Sequence, residues 1–343
     1  MDLQLSGGVV SGGSQARERF YDSRGYGRSV DGGIELAPVE AAHLLYRGDV
    51  ETVQDREHGR HLDFRALLNS AAVSEIDFLV YKNLRDRGFY LSPAREGWVE
   101  DPDGADFVVY PRGEGPWGDG VAYRVRAISE RASVAAATLG EAVLAVVDEE
   151  SSITYLDTER PDIEGTTSVD LPEGVPADLL GDRVLAWDPP ERLYRRGFYG
   201  QPLDEEAGSP LQLSLLEAAA LAEVGVLDVE GGAEAVLDRG REVEGDRFDR
   251  RLAVYRRLRE AGVVPKTGYK FGADFRTYAD VESVDELGHS ELLIRVLPAE
   301  HSFSPRDLSL DVRLAHGVRK RMVFALVGAD GGVAWRSAAR LTP

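Results

Sequence analysis

Apolar residues recur at spacings of three and four in six segments of the chain, a pattern that predicts amphipathic helices. The predicted helices are Pro38–Tyr46, Leu62–Ala72, Ser74–Arg87, Leu213–Val224, Ala233–Val243 and Arg247–Ala261. Gly88 and Gly262 follow two of these helices at the position where a glycine commonly ends a helix. Ser74 is suited to cap the third helix at its N-terminus.

Segments typical of β-strands follow each group of three helices. The predicted strands are Ala105–Tyr110, Val121–Ile128, Val143–Val147 and Ile153–Leu156, then Ala273–Tyr278, Ser290–Leu297, Met322–Val327 and Val333–Ser337. Asp330–Gly332 predicts a hairpin turn between the last two strands. Ser304–Gly317 predicts a loop and a helix packed on the second sheet. The pattern indicates the α+β class, with each sheet of the mixed kind.

Three short blocks recur in the same order along the chain, which indicates an internal duplication. The two members of the three pairs start 173, 174 and 168 residues apart, respectively. The pairs are Glu18–Gly27 with Glu191–Gly200, Phe78–Gly88 with Leu252–Gly262, and Gly104–Tyr110 with Gly272–Tyr278. We therefore predict two tandem copies of a unit of about 165 residues.

Each predicted copy divides into a helix-rich α/β N-terminal subdomain and a mixed-sheet, nuclease-like C-terminal subdomain. The predicted boundaries are 1–90 and 91–160 for the first copy, 161–180 for a linker, and 181–262 and 263–343 for the second copy. The linker lies within Asp157–Leu180, which is rich in Pro, Gly and acidic residues and lacks periodicity.

Composition excludes several classes of site. The chain has no cysteine, so disulfides, thiolate metal sites and cysteine nucleophiles are excluded, and a reducing cytoplasm is expected. No apolar run approaches the roughly 20 residues that span a bilayer, and no secretory signal is visible at the N-terminus. Apart from His289, which is discussed below, the histidines are His43, His58, His61, His301 and His316, and they show no paired metal-ligand spacing.

The charge of the chain is strongly negative but unevenly distributed. The formal net charge is −20, and only four of the 40 basic residues are lysines. Abundant acid with little lysine is expected of a protein that stays soluble in concentrated salt, so a halophilic source explains the acidity. Arg247–Arg321 nevertheless holds 15 basic residues against 11 acidic ones. This basic segment predicts a face that binds phosphate.

Tyr278, His289 and Lys320 together could cleave RNA through its own 2′-hydroxyl without a metal. That reaction needs one group to take the 2′-OH proton, another to protonate the 5′ leaving oxygen, and a cation beside the phosphorane. An imidazole transfers protons near neutral pH, and an ammonium binds phosphate. A phenol is a weak base unless a neighbouring cation favours its ionised form.

Each of these residues also has an ordinary structural interpretation: a half-buried core tyrosine, a turn histidine and a solvated lysine. The first copy distinguishes the two interpretations. It keeps the tyrosine as Tyr110, whereas Gly118 stands for the histidine and Glu150 for the lysine, to within one or two residues. Loss of the imidazole and the cation together is what we expect of a copy released from catalysis.

The sequence from Val254 to Phe324 closely resembles the catalytic domain of archaeal tRNA-splicing endonucleases. His289 follows Tyr278 by eleven residues, and Lys320 follows by thirty-one more, inside the segment RLAHGVRKRMVFA that starts at Arg313. The duplication resembles the type in which one chain holds an inactive and an active copy and two chains form the enzyme. The resemblance covers most of the chain.

The resemblance implies a precursor tRNA substrate, folded as a bulge–helix–bulge at the exon–intron junctions. It implies that Tyr278 is the general base, His289 the general acid and Lys320 the cation, with 2′,3′-cyclic phosphate and 5′-hydroxyl products. Residue chemistry alone leaves the order of base and acid open. No cofactor, metal, membrane or other protein partner is expected.

Further expectations follow from the same resemblance. Two arginines would sandwich a flipped bulge base, with Arg313 as the first and Arg340, or failing it Arg336, as the second; planar guanidinium suits stacking on a base. A substrate cut at two bulges requires two active copies, hence a homodimer. Glu130, Asp307 or Asp311 would dock into the partner chain.

Two other classes of function remain open at this point. The chain could be a noncatalytic tRNA-binding or structural subunit of a splicing endonuclease. The presence of all three of Tyr278, His289 and Lys320, called the trio below, argues against that. It could also be a metal-dependent phosphodiesterase, which the absence of metal-ligand spacing disfavours.

Overall fold

The computed structural model describes residues 2–204 and 208–343. Its first part runs from the N-terminus to Glu159 and alternates short strands with helices. A π-helix, Arg17–Asp22, continues from α1, and a 3₁₀ turn, Ala136–Thr138, follows β10. The elements in chain order are β1 (Gln4–Ser6), β2 (Val9–Gly13), α1 (Ser14–Ala16), β3 (Arg28–Val30), β4 (Gly33–Leu36), α2 (Pro38–Tyr46), β5 (Val53–Asp55), β6 (Arg60–Leu62), α3 (Phe64–Leu68), α4 (Glu75–Asp86), β7 (Leu91–Pro93), β8 (Phe107–Val109), β9 (Tyr123–Ser129), β10 (Val134–Ala135), β11 (Val143–Val147) and β12 (Ile153–Glu159).

The second part repeats this alternation with longer helices. Two 3₁₀ turns, Tyr269–Phe271 and Val284–Glu286, flank the strand β19. The elements are β13 (Val175–Leu179), β14 (Arg183–Ala186), α5 (Glu191–Arg195), β15 (Gln201–Pro202), β16 (Leu211–Ser214), α6 (Leu215–Glu223), β17 (Leu227–Val229), α7 (Gly232–Glu244), α8 (Asp246–Glu260), β18 (Val264–Thr267), β19 (Phe275–Tyr278), β20 (Leu292–Pro298), β21 (Ser302–Phe303), α9 (Pro305–Gly317), β22 (Arg321–Val327) and β23 (Val333–Leu341).

A ten-stranded mixed sheet joins the two parts. Its strand order is β18-β19-β20-β22-β23-β12-β11-β9-β8-β7, so each part contributes five neighbouring strands. The junction is antiparallel, with Leu156 opposite Arg340 and Thr158 opposite Ala338. In each half of this sheet one pair is parallel, β9 with β11 and β20 with β22. Two smaller sheets, of six and five strands, carry the N-terminal portions.

Local sequence explains where the principal helices begin and end. The Ser74 side chain accepts the Asp77 N–H and caps α4, and Gly88 follows that helix with φ +87°. The prediction of Pro38–Tyr46 is confirmed to the residue, as is the strand Val143–Val147. The helix predicted from Leu62 is shorter, because Arg60–Leu62 pairs as a strand and Asp63 caps the helix at Ala66.

The helix predicted from Leu213 also begins later. Leu211–Ser214 is a strand, and Ser214 forms a capping box with Glu217 at the start of α6. An N-cap residue is extended, so a strand can lead directly into a helix. The three-residue spacing from Leu213 to Leu216 could not separate the two elements, because the strand buries Leu213 and the helix buries Leu216.

Three large apolar cores and one small cluster stabilise the described part of the chain. The first lies between α2, α4 and one face of the first half-sheet, and the second lies between α6, α8 and the same face of the second half-sheet. The third lies on the opposite face, beneath α9, and takes residues from both half-sheets, among them Leu144 and Phe324. Within the described residues, no helix is long and apolar enough to cross a membrane.

The segment between the two parts is shorter than predicted and is firmly attached. Strand β13 begins at Val175, inside the predicted linker 161–180, and β12 ends at Glu159, so 160–174 has no regular structure. The Gly165 N–H donates to the Ala261 carbonyl at 2.8 Å, and the Thr167 N–H donates to the Gly262 carbonyl at 3.0 Å. A Cβ on Gly165 would lie 2.4 Å from the Gly262 oxygen, so this close approach requires glycine.

Candidate active site

Tyr278, His289 and Lys320 lie at the same edge of the second half-sheet. Tyr278 is the last residue of β19, His289 lies three residues before β20, and Lys320 lies immediately before β22. These strands are neighbours in the order β19-β20-β22. Leu292, the first residue of β20, is opposite both Thr277 and Arg321. Because neighbouring strands lie about 4.8 Å apart, this register gathers the three residues at one strand end.

Strand alternation places Tyr278 and Lys320 on the sheet face that α9 covers. Leu293 and Met322 belong to the core beneath α9 and are opposite one another across β20 and β22. Arg276 is opposite Leu293, so it shares that face. Tyr278 and Lys320 are each two residues from a member of this row, and residues two apart share a face.

Tyr278 packs into a small apolar cluster at the strand end. The cluster contains Phe198, Val264 and Val281, and the Phe198 ring centroid lies 5.6 Å from that of Tyr278. Tyr278 is 8% exposed. Phe198 has φ +49°, an uncommon backbone conformation for a residue with a side chain. The phenol is therefore oriented by a neighbour whose own backbone is strained.

A buried ion pair holds the Phe198 segment in place. The Lys266 ammonium donates to the carbonyls of Phe198 and Gly200, at 3.2 and 3.1 Å, and to the Glu217 carboxylate at 2.8 Å. Burial alone would raise the pKa of Glu217, but the Lys266 charge and the backbone N–H groups of Gly200 and Ser214 lower it to about 2. Lys266 thus links α6 to the loop that supports Tyr278.

Lys320 is held by the end of α9 and by Ser290. Its backbone N–H donates to the Ala315 carbonyl at 2.9 Å, and the preceding residue, Arg319, has φ +57°, which turns the chain out of the helix. Its ammonium donates to the Ser290 carbonyl and, at 2.6 Å, to the Ser290 hydroxyl. Burial and, secondarily, the positive charge of Arg276 lower the pKa of Lys320.

His289 is exposed and immediately precedes the serine that Lys320 binds. It lies in a segment without regular structure, between the turn Val284–Glu286 and β20. The contact between Lys320 and Ser290 fixes the chain next to the imidazole, whereas the ring itself faces solvent. An exposed imidazole beside an anchored ammonium can exchange a proton with a bound substrate.

The linker also holds the chain just beyond Tyr278. The Thr166 N–H donates to the Ala279 carbonyl at 2.8 Å, and the Thr166 hydroxyl donates to the Asp280 carboxylate at 2.9 Å. The Val281 N–H donates to the Thr167 hydroxyl at 2.9 Å. Three consecutive residues after the tyrosine are therefore tied to the segment that joins the two parts.

The predicted base-stacking arginines lie at different distances from this edge. Arg313 is exposed on α9, seven residues before Lys320. Arg340 is exposed on β23 and lines, with Lys320, a cavity of about 670 Å³ at the end of α9. Arg336 lies four residues before Arg340 on β23. Its guanidinium donates to the Ala137 carbonyl of the first half at 3.2 Å. Arg340 is thus the one of the two β23 arginines that lines this cavity.

Of the three acidic residues expected to dock a partner chain, Asp311 is already engaged. It is buried and forms an ion pair with Arg295 of β20. Asp307 lies in the first turn of α9, and Glu130 follows β9, where it lies 3.6 Å from Arg131. Docking by Asp311 would break an existing buried pair, so Glu130 and Asp307 are the remaining candidates.

The strand registers give the first-half positions that correspond to the trio. A row of three residues crosses each half-sheet in the same way: Phe107, Val125, Val143 and Phe275, Ile294, Val323. Lys320 lies three residues before Val323, and the same step before Val143 reaches Gly140. His289 lies five residues before Ile294, and the same step before Val125 reaches Gly120.

The assignment of Glu150 to the lysine position is therefore wrong, whereas Gly120 lies within two residues of the predicted Gly118. Glu150 lies after β11, in the turn that joins β11 to β12. Lys320 instead lies before β22, the strand that corresponds to β11. A side chain at Gly140 would meet Arg160 at 2.6 Å, and its φ is +92°. The first half thus lacks room for a lysine at this position, a property that short sequence blocks could not reveal.

Sequence reasoning missed Ser290, which anchors Lys320 through two oxygen atoms. No motif distinguishes this serine, because its role depends on β20 and β22 lying side by side. It also missed the linker contacts at Thr166 and Thr167, because a segment rich in Pro, Gly and acid indicates a loose connection. Within residues 2–204 and 208–343, no three His, Asp or Glu residues are grouped as a metal site would require.

Comparison with known proteins identifies the family of the chain. The model of the catalytic C-terminal domain of tRNA intron endonucleases matches residues 248–335, and the model of their N-terminal domain matches both 1–68 and 175–239. The chain is 65% identical to the tRNA-splicing endonuclease of Haloarcula marismortui and 61% identical to that of Natronomonas pharaonis, over the full length of each. It is 38% identical to the tRNA-splicing endonuclease of Methanosarcina acetivorans over 96% of this chain and 97% of that one. The chain belongs to the tRNA-splicing endonuclease family, in a group with relatives in halophilic archaea.

Proposed function

We propose that this protein cleaves precursor tRNA at both splice sites of a bulge–helix–bulge by metal-independent attack of the 2′-hydroxyl. The observation that carries the proposal is the shared strand end of β19, β20 and β22, where Tyr278, His289 and Lys320 lie. Membership of the tRNA-splicing endonuclease family supports the substrate class. The reaction leaves a 2′,3′-cyclic phosphate and a 5′-hydroxyl, which makes the enzyme a tRNA-intron lyase.

Each residue of the trio has one role in this reaction. Tyr278, in its ionised form, takes the proton of the 2′-hydroxyl as the 2′-oxygen bonds to phosphorus. His289, in its protonated form, gives a proton to the 5′-oxygen as the P–O5′ bond breaks. Lys320 stabilises the negative charge that gathers on the non-bridging oxygens. Its attachment to Ser290 supports this role, because a cation held in advance needs no reorganisation during the reaction.

The proposed RNA-binding residues are Arg313 and Arg340, with Arg336 as the alternative to Arg340. Arg340 shares a cavity with Lys320, which supports a role close to the cleaved bond. A guanidinium stacks on a base and donates in its own plane, so arginine suits this position better than lysine.

We further infer that the chain is a tandem duplication and acts as a homodimer. The N-terminal domain model matches twice, and the order of elements in 2–159 recurs in 175–343 except that β6 has no counterpart and α9 replaces the 3₁₀ turn Ala136–Thr138, which supports the duplication. Gly120 and Gly140 replace the histidine and the lysine in the first half, so each chain carries one complete trio. A substrate with two cleavage sites then needs two chains related by a two-fold axis.

The decisive experiment incubates purified protein with an intron-containing tRNA in high salt plus EDTA and analyses the RNA ends. We expect cyclic phosphate and 5′-hydroxyl ends from wild type, and loss of cleavage in His289→Ala. His61→Ala, which removes an exposed imidazole of the N-terminal portion, is the matched control and should cleave normally. Full activity of His289→Ala would instead support a noncatalytic role for the trio, and loss of activity in EDTA would support a metal-dependent phosphodiesterase.

A further inference from the structure

Arg276 is a half-buried arginine at the proposed active site with no acidic partner. It lies in the middle of β19, on the face that α9 covers, and its guanidinium carbon lies 5.7 Å from the centroid of the Tyr278 ring. Its Nε atom is buried and makes no hydrogen bond, and no carboxylate pairs with it in the parts of the chain that the structure describes. An unpaired guanidinium in a half-buried position is costly unless a ligand completes it.

Four neighbouring arginines have acidic partners in this chain of net charge −20. Arg247 and Arg251 both pair with Asp274, Arg295 pairs with Asp311, and Arg321 pairs with Glu159. Arg276 belongs to the same sheet as two of these residues, yet acidic side chains leave it free. An anion is therefore the group that would balance its charge.

Lys320 likewise has no acidic partner among residues 2–204 and 208–343. Two of the three N–H groups of its ammonium donate to the Ser290 carbonyl and hydroxyl, so one N–H group remains to donate to a ligand. The positive charge of Arg276 contributes to the lowered pKa of Lys320, which indicates that the two cations act on the same small volume.

The first half of the sheet provides an internal comparison. Phe107 and Phe275 correspond in register, so Val108 stands at the position of Arg276. Val108 is 3% exposed and packs as an ordinary core residue. The half that lacks the histidine and the lysine therefore also lacks this arginine, whereas both halves keep the tyrosine. The sequence blocks GADFVVY and GADFRTY already contain this difference.

We propose that Arg276 is a fourth catalytic residue, which together with Lys320 binds the two non-bridging oxygens of the cleaved phosphate. The inference rests on the function proposed above. In that reaction the 2′-oxygen bonds to phosphorus, the P–O5′ bond breaks, and the phosphorane carries negative charge on two non-bridging oxygens. Lys320 has one free N–H for one oxygen, and the planar guanidinium of Arg276 can donate to the other.

The test measures single-turnover cleavage of a bulge–helix–bulge RNA and, separately, binding of the same RNA with 2′-deoxy residues at both cleavage sites. We expect Arg276→Val to lower the cleavage rate about 10²- to 10³-fold, as loss of one oxyanion donor does, while the Kd of the uncleavable RNA changes less than about threefold. Arg276→Lys should recover part of the rate, because it keeps the charge but loses the planar fork.

Stereochemistry distinguishes a contact with phosphate from a purely structural role. Replacement of one non-bridging oxygen by sulfur, as the Rp or the Sp phosphorothioate, should slow wild type unequally, and Arg276→Val should lose most of that inequality. Arg306→Val removes an exposed charge of the same domain and should behave as wild type in every measurement.

Three results would overturn the inference: a cleavage rate within threefold of wild type for Arg276→Val, a Kd that weakens as much as the rate falls, or an unchanged thio-effect. Failure of the underlying function has a different signature. In that case Tyr278→Phe, His289→Ala and Lys320→Met would all cleave as wild type, whatever Arg276→Val does.

Discussion

Tyr110 and Tyr278 occupy the same register position in the two half-sheets but have different surroundings. The Tyr110 hydroxyl donates to Ser92 at 3.0 Å, and burial raises the pKa of this phenol. At the register position of Ser92, the second half has Lys266, which turns away to pair with Glu217. Tyr278 therefore has no such partner among the described residues, and its ring instead contacts Phe198 and the Arg276 guanidinium. The Tyr110 hydroxyl is thus used within the core, whereas the Tyr278 hydroxyl is available to a bound substrate.

The same contrast occurs at the buried glutamates that start α2 and α6. Burial raises the pKa of Glu40 to about 7, even though the Gly27 and Ala37 N–H groups donate to its carboxylate. Lys266 supplies Glu217 with a cation, and the pKa of Glu217 falls to about 2. In the second half, the buried lysine Lys266 thus holds the loop that supports Tyr278, whereas the first half has no lysine at the corresponding position.

The largest expected effect separates the two tyrosines. Tyr278→Phe should lower the single-turnover cleavage rate about 10³-fold, because a general base typically contributes 10²- to 10⁴-fold. Tyr110→Phe should leave the rate within twofold and cost about 1 kcal/mol of unfolding free energy, since it removes one hydrogen bond to Ser92. Quenched-flow cleavage and urea unfolding measure the two effects. Equal loss of activity in both variants would contradict a catalytic role limited to the second half.

The next effect concerns the lysine that the first half lacks. Lys266→Ser installs the residue found at the corresponding position, Ser92, and leaves Glu217 buried without its cation. We expect a loss of about 3 kcal/mol in unfolding free energy and slower cleavage, because the Phe198 loop is released from beside Tyr278. Lys82→Ser, which breaks an exposed ion pair with Asp86, should cost less than about 1 kcal/mol. Similar losses in both variants would show that the buried pair has no special weight.

A third effect follows from the opposite pKa shifts of the two glutamates. The pKa of Glu40 is raised from 4.5 to about 7 in the folded protein, so its contribution to stability is complete below pH 4.5 and is lost as pH rises through 7. The pKa of Glu217 is lowered from 4.5 to about 2, so its contribution is present above pH 4.5 and is lost as pH falls toward 2.

Unfolding free energies at pH 5 and pH 8.5 test the first shift. Wild type should lose about 2 kcal/mol more than Glu40→Gln between these pH values, because glutamine stays neutral throughout. Glu51→Gln, at an exposed position, should follow wild type. A parallel pH dependence of wild type and Glu40→Gln would mean that the buried carboxylate remains ionised at pH 5.

Local sequence patterns predicted the elements of this fold better than the contacts between them. The bounds of α2 and β11 follow from capping, spacing and β-branched residues, and the trio follows from residue chemistry and the recurring blocks. The pairing of β12 with β23 depends on residues far apart in sequence, such as Leu156 and Arg340, and no local signal encodes it. The same limit explains the error at Glu150, because only strand register identifies Gly140 as the position that corresponds to Lys320.

The smallest expected effect concerns the linker, which supports one tyrosine and not the other. Thr167→Val keeps the shape of the side chain but removes the hydroxyl that accepts the Val281 N–H at 2.9 Å. Because that N–H is left without its partner, we expect a cost of about 1 kcal/mol and a cleavage rate about threefold lower, with Kd for the uncleavable RNA unchanged. Hydrogen exchange should become faster at Val281, whereas exchange at Tyr110, whose N–H donates to the Tyr90 carbonyl, should not change. Thr52→Val, at an exposed site of the first half, is the matched control. If exchange accelerated equally beside both tyrosines, the linker would stabilise the whole sheet rather than the end of β19, and the difference between the two halves would have to come from Lys266 and Phe198 alone.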